Sequence, residues 1–465
     1  MGVSRMKKTT LNLPDYHRIA MVLQGGGALG SYQAGVYEGL ANAGIHPNWV
    51  AGISIGALNC AIIAGNAPKD RVQRLHDFWD TICSPPVFTQ PWTQAHTHEQ
   101  QDLLGAPGLP MGSTMGNMGQ SMFRSMAAMS AMMNGQVGFF KPRFMAPGSG
   151  TPDQISFYDT TPLIATLEKF ADFDRINSGE TRVSLGVTNV ATGNFVYFDS
   201  KTQTLTPKHF VASGSLPPGF AATEIDGEYY WDGGCVSNTP LEYVLGDPQR
   251  RDTLVFQVDV WSSQGALPTD ILTVTERQKD IQYSSRTRTM TNAVHMMQHM
   301  RKVFYETLER IPASVKEKDP WFDQIQRHML GARYNVIHLI YKNKQSEGHY
   351  KDYQFSAESM RMHWQTGLAN MDETIAYAPC LEMPAEGENF VTFDIHTHVR
   401  QSSAQFRGAP TLDTKPDVKK PTGAKKAPVR QTTARKQVVK KAVKKAVKKT
   451  VTPSSNQTPP RRNPK

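Results

Sequence analysis

Residues 49–64 read Trp-Val-Ala-Gly-Ile-Ser-Ile-Gly-Ala-Leu-Asn-Cys-Ala-Ile-Ile-Ala. A short apolar run, Trp49 to Ile53, meets a single serine, Ser54, and a stretch of helical character follows from Ile55 to Ala64. The centre, Gly52-Ile53-Ser54-Ile55-Gly56, fits Gly-x-Ser-x-Gly. Between a strand and a helix, that spacing predicts a tight turn that presents the serine hydroxyl from a strained backbone. Gly52 and Gly56 remove side chains that would collide there. The helix N-terminus beside Ser54 also favours developing negative charge. A bare Gly-x-Ser-x-Gly arises often by chance, so its context and its company carry the reading.

Upstream, Arg18 to Gln24 reads as a buried strand, Gly25 to Gly30 as a loop, and Ser31 to Ala43 as a helix. The rhythm of strand, glycine loop, helix, strand, turn and helix predicts an α/β fold with a mainly parallel sheet flanked by helices. Pro68 to Ile82 closes this block as an amphipathic helix. The loop Gln24-Gly25-Gly26-Gly27-Ala28-Leu29-Gly30 has three chemical readings. A nucleotide phosphate loop lacks its Lys-Ser/Thr ending. A dinucleotide fingerprint would leave the serine turn unexplained. An oxyanion hole, with backbone N–H groups aimed at a tetrahedral intermediate, uses both glycine motifs. A plain structural turn is the alternative to all three.

Downstream, Arg182 to Val190 and Asn194 to Phe198 read as paired strands around Ala191-Thr192-Gly193. His209 to Ser213 reads as a short helix, Thr253 to Val260 and Tyr334 to Tyr341 as strands, and Asp270 to Arg310 and Ser356 to Tyr377 as helical. Tyr230-Trp231-Asp232-Gly233-Gly234 places a carboxylate before two glycines, where a loop can present it and another backbone can approach. In isolation Asp-Gly-Gly is an ordinary turn.

Together these blocks resemble the patatin-like phospholipases. Gly25 to Gly30, Gly52 to Gly56 and Asp232 to Gly234 occur in that family's order and rough spacing, and Ala212 to Phe220 resembles its block between serine and aspartate. The resemblance covers roughly residues 18–245, and the chain beyond it resembles the C-terminal extension of a bacterial subgroup. It implies a Ser–Asp dyad without metal or cofactor: Ser54 as nucleophile, Asp232 as base, and Gly25, Gly26 and Gly27 as oxyanion donors. Gly30, Gly52, Gly56, Gly233 and Gly234 support the motifs. The implied activity is cleavage of carboxylic esters of phospholipid, lysophospholipid, acylglycerol or another aliphatic ester, storage polyester included. Many relatives carry Arg or Lys in the glycine loop where this chain has Leu29, which leaves less positive charge for a lipid phosphate.

Two other readings differ in kind. A Ser–His–Asp esterase would combine Ser54 and Asp232 with His338, His349, His363, His396 or His398, none of which has distinguishing context. A non-catalytic scaffold would keep the fold and act through its tail, although all four motif blocks are intact.

With the resemblance and the composition together, the 465 residues are expected to divide into a lead-in (1–17), a patatin-like catalytic domain (18–250), a helical C-terminal extension (251–410) and a Lys-rich tail (411–465). Residues 84–150 form a Met/Gly-rich insertion holding nine of the 21 methionines, read as a helix packed on the core, as a mobile cap over an acyl site, or as simple disorder. The tail carries 17 Lys/Arg against two Asp/Glu, while the rest of the chain carries 34 against 39. The overall charge of +10 therefore belongs to the tail alone. Like-charge repulsion predicts that the tail is disordered, and its charge suits an anionic membrane, a granule surface or nucleic acid bound without sequence preference. The four scattered cysteines show no metal spacing and no disulfide framework, which suggests a reducing, cytoplasmic setting with peripheral contact to a membrane, granule or nucleoid. The first apolar run is too short for a signal-peptide core or a membrane span.

Overall fold

The computed structural model describes residues 13–84, 128–143, 148–284, 287–317, 320–329, 332–342, 348, 350–385, 388–394 and 399–402. The tail, His349, His396, His398 and residues 85–127 of the insertion lie outside the described residues.

The chain opens with β1 (Arg18–Leu23), α1 (Ser31–Asn42), β2 (Trp49–Gly52), α2 (Ile55–Ala64) and α3 (Arg71–Ile82). A two-stranded ribbon of β3 (Lys141–Pro142) and β4 (Tyr158–Asp159) follows. Next come β5 (Arg182–Asn189), β6 (Phe195–Asp199), β7 (Thr223–Ile225) and β8 (Glu228–Asp232). The last strands are β9 (Thr253–Asp259), β10 (Tyr334–Ile340), β11 (Phe390–Asp394) and β12 (Val399–Ser402).

One sheet runs β12-β11-β10-β9-β1-β2-β5-β8-β7, with β6 also on β5. Its centre, β11 to β5, is parallel, and its margins are antiparallel. Strands covered on both faces need apolar residues throughout, which explains the unbroken run in β1 and the complete burial of β9. Alternation still sorts the side chains. Met21 and Leu23 join the larger core, while Ala20 and Val22 join a second cluster with Trp49, Val255 and Val336. α2 is apolar nearly all round and every one of its residues is buried.

β9, β10 and β11 come from the region after residue 250, yet they extend the same sheet. The helix Ala357–Ala376 lies backbone to backbone on α1. A Cβ on Gly35 would stand 2.0 Å from the Trp364 carbonyl oxygen, and one on Gly367 would stand 2.1 Å from that of Tyr32.

Some elements differ from the sequence reading. The stretch expected to be helical from Asp270 to Arg310 is two helices, Ile271–Tyr283 and Thr287–Glu309, the first ending where Ser284 turns extended. Asp232, expected on a loop, is the last residue of β8. The β7–β8 hairpin turns on Asp226 (φ 53°) and Gly227 (φ 83°), an Asp-Gly pair whose two positive φ angles match the twist of a tight hairpin.

Candidate active site

Ser54 stands between β2 and α2 with φ 56° and ψ −125°, a region that disfavours side chains and that the surroundings must enforce. Its N–H donates to the carbonyl and the hydroxyl of Ser213 at 3.1 and 3.0 Å, and Ser213 Oγ in turn donates to the Gly186 carbonyl. Both motif glycines are sterically required. A Cβ on Gly56 would lie 2.4 Å from the Leu23 carbonyl oxygen, and one on Gly52 would lie 2.5 Å from the Gly56 backbone.

Asp232 reaches the same place from the opposite direction. Along Ser184 and Leu185, β2 holds one edge of β5 and β6 the other. At Val187 and Thr188, β6 still holds its edge, so β8 takes the edge that β2 has vacated. Gly52 lies opposite Leu185 and Asp232 opposite Val187, so the ends of β2 and β8 face each other along one strand. The segment Ala212 to Phe220 braces both ends: Ser213 takes the Ser54 N–H, and the Ser215 carbonyl takes the Asp232 N–H at 3.0 Å.

The Asp232 carboxylate is buried beside Ser54, whose side chain favours its charged form. The Gly234 N–H donates to it at 2.7 Å. Burial raises its pKa from 3.8 to about 7, against the lowering effect of the Gly234 N–H and the Ser54 side chain. A carboxylate so placed is a far better base near neutral pH than an exposed one.

The glycine loop comes to Ser54 from β1. A Cβ on Gly25 would lie 3.1 Å from the Ser54 Cβ. Gly27 has φ 56°, and a Cβ there would meet the Asp352 carbonyl oxygen at 2.3 Å. The three glycines are not equivalent. The Gly25 N–H donates to the Asn238 carbonyl at 3.2 Å, so it is already engaged. Among the described residues the N–H groups of Gly26 and Gly27 make no such backbone hydrogen bond.

Ser54, Asp232 and the glycine loop line one cleft of about 650 Å³, counting the space open to solvent. One side is apolar, with Leu58, Phe139, Phe140, Leu216, Phe220 and Phe355. Their rings pack edge to face or tilted, for example Phe139 on Phe355 at 5.4 Å and Phe140 on Phe220 at 5.3 Å. The other side carries Asn238, Trp261, Tyr283 and Asp352. Among the described residues no histidine lines it. His338 is on β10, where burial pushes its pKa down to about 4, and His363 packs against Tyr341.

Sequence reading missed much of this wall. Phe139 and Phe140 belong to the insertion, and Trp261, Tyr283, Asp352 and Phe355 to the region after residue 250. An aromatic pair after a Met-rich run was the visible signal for the first two. In the described part of the insertion, residues 128–134 are helical, and Ala128 and Ala131 face inward while Met129 and Met133 are exposed.

A serine turn at the head of a mainly parallel sheet, with an apolar cleft beside it, is the arrangement of an α/β acyl hydrolase. Residues 21–245 are a patatin-like phospholipase domain, matching the family model of that description. Residues 281–387 match a second model, described as patatin phospholipase. Comparison with curated protein sequences gives no match. Among solved structures, the crystal structure of VipD from Legionella pneumophila is similar over 76% of this chain and 68% of that one, at 15% identity and a TM-score of 0.30. Among the described residues no helix is long and apolar enough to cross a membrane.

Proposed function

We propose that the protein hydrolyses carboxylic esters of lipids through a Ser54–Asp232 dyad and an acyl-enzyme. One observation carries the reading: a strained elbow serine and a buried carboxylate raised to about pKa 7 line the same aromatic cleft. The acyl chain lies along Phe139, Phe140, Phe220 and Phe355 with its carbonyl at Ser54. Ser54 Oγ attacks the carbonyl carbon as Asp232 takes its proton, and the Gly26 and Gly27 N–H groups stabilise the oxyanion. On collapse, Asp232 returns the proton to the departing alcohol, leaving the acyl group on Ser54. Water then attacks that ester, giving its proton to Asp232, and the carboxylic acid leaves as Ser54 is reprotonated.

The base must be ionised, so kcat/KM should rise with pH through about 7 and level off above it. A profile on a soluble short-chain ester checks this, beside labelling by a fluorophosphonate probe and turnover of a phospholipid, lysophospholipid and acylglycerol panel. A flat profile across that window, with labelling at Ser54 intact, would remove Asp232 as the base. A descending limb near neutrality would favour a histidine-like acid.

A second reading concerns the tail, which lies outside the described residues. Its 17 Lys/Arg against two Asp/Glu, beside a body with 34 against 39, support a tether to a polyanion. Truncation after Pro410 should leave soluble-ester turnover unchanged and remove salt-sensitive binding to anionic vesicles and DNA. Equal binding by the truncated and full chains, measured at low and high salt, would rule the tether out. Preference for vesicles would place the enzyme at a lipid surface.

A further inference from the structure

The glycine loop is wired to residues beyond the patatin-like match. Gln24, at the end of β1, accepts the N–H groups of Val260 and Trp261 on its side-chain oxygen at 2.8 and 2.9 Å. Its side-chain nitrogen donates to Thr239 and to the Tyr283 carbonyl. Two donors converge on the Gly25 carbonyl: Trp261 Nε1 at 2.8 Å and Asn238 Nδ2 at 3.0 Å. Trp261 is buried, and a Cβ on Gly26 would come within 3.1 Å of its Nε1.

The Gly25 carbonyl and the Gly26 N–H are the two ends of one peptide group. A carbonyl that accepts two hydrogen bonds draws electron density toward its oxygen. The N–H at the other end becomes more positive and a stronger donor, because hydrogen bonds in series polarise one another. The same two bonds fix the plane of the peptide and so the direction of that N–H. Preorganised direction is what an oxyanion donor needs, since it need not reorient as charge develops.

Trp261 is itself held. Lys351 and Lys279 place their ammonium groups 5.0 and 5.8 Å from its ring centroid. Lys279 pairs with Asp352 at 2.6 Å and Lys351 with Asp280 at 2.5 Å, so the ion pairs cross between the helix Ile271–Tyr283 and the segment Lys351–Tyr353. Cations near the ring attract its electrons and make the indole N–H a better donor.

We infer that Trp261 and Asn238 are positioning residues, which orient and polarise the Gly25–Gly26 peptide so that the Gly26 N–H stabilises the oxyanion. The inference rests on the Ser54–Asp232 reading and ties the region after residue 250 to the site through Trp261. Neither residue touches the reacting atoms; both act through the peptide.

Trp261→Phe in the full chain keeps a ring and removes the donor. Loss of a whole oxyanion donor costs about 10²–10³-fold, so weakening one should lower kcat and kcat/KM together by about tenfold. KM for a soluble ester should stay within about twofold, because the ground-state carbonyl gains little from the donor. Affinity for an alkyl trifluoromethyl ketone, which forms a tetrahedral adduct on serine, should fall by the same factor as kcat/KM. Asn238→Ala removes the other donor and should give the same signature; if Trp261→Phe does not fold, Asn238→Ala decides alone. Ser54→Ala is measured in parallel. Activity surviving in Ser54→Ala would remove the underlying reading. An inactive Ser54→Ala, beside donor variants with parental kcat and parental ketone affinity, would overturn this inference only. A higher KM at unchanged kcat would overturn it too, making Trp261 a wall of the cleft.

Discussion

Purified Ser54→Ala should show no labelling by a fluorophosphonate probe and a loss of ester turnover on the order of 10⁴-fold or more. The alanine lacks the oxygen that attacks, and the described cleft offers no second hydroxyl at that point of the loop. The fold should survive. Ser54 holds its neighbours through its backbone N–H, donated to Ser213, and that bond does not involve the side chain. Removing the hydroxyl takes one of two lowering influences from Asp232, so that carboxyl should titrate higher still. Parental turnover in a homogeneous preparation would end the assignment of Ser54.

Asp232→Asn should also be inactive, by on the order of 10³-fold, because an amide cannot accept the serine proton near neutrality. It should differ from the serine variant in stability. In the folded protein Asp232 titrates near 7 rather than 3.8 because burial penalises its charge. Between those values the native state holds a proton that the unfolded chain has released, so folding stability falls as pH rises through the window. Above about 7 the protein carries the full cost of a buried charge, and asparagine removes it. The variant should therefore melt above the parent at about pH 8, with the advantage shrinking at about pH 5. Thermal unfolding at the two values reads this directly. An active variant, or one destabilised at the higher pH, would contradict the role. A gain in stability on loss of activity is the mark of a group kept for chemistry rather than for the fold.

The legibility of the sequence followed burial and locality. β1, β2, β9 and the helices α1 and α2 are continuous apolar runs or small-residue helices punctuated by glycine, and their own residues announce them. Ser54 was visible for the same reason: its turn is built by neighbours two residues away on each side. Asp232 was visible only in company, since nothing local distinguishes it from a turn, and its strand is only five residues long and runs straight into Gly233-Gly234. The Asp-Gly pair at 226–227 was the one local signal for that hairpin. Trp261, Asn238 and Tyr283 could not be read at all. Their roles rest on hydrogen bonds to Gln24 and Gly25 across more than 200 residues of chain, and no pattern in a linear sequence encodes such a pairing. The commitment of the Gly25 N–H to the Asn238 carbonyl was hidden likewise, so the three glycines were read as equivalent.

The meeting of β2 and β8 along one edge of β5 has a consequence for how this protein can vary. Gly52 and Asp232 are measured against Leu185 and Val187, two residues apart on a single strand, which is about 6.6 Å of backbone. That strand is a ruler, and chain added elsewhere does not change its divisions. Loops between residues 64 and 182, or between 199 and 207, can grow or shrink while the serine and the carboxylate keep their distance. Residues 84–150 fall inside the first interval, so that segment is free to be reshaped for new substrates while the chemistry stays put. A slip of one residue in the pairing of β8 with β5 has the opposite character. It would turn the carboxylate to the far face of the sheet.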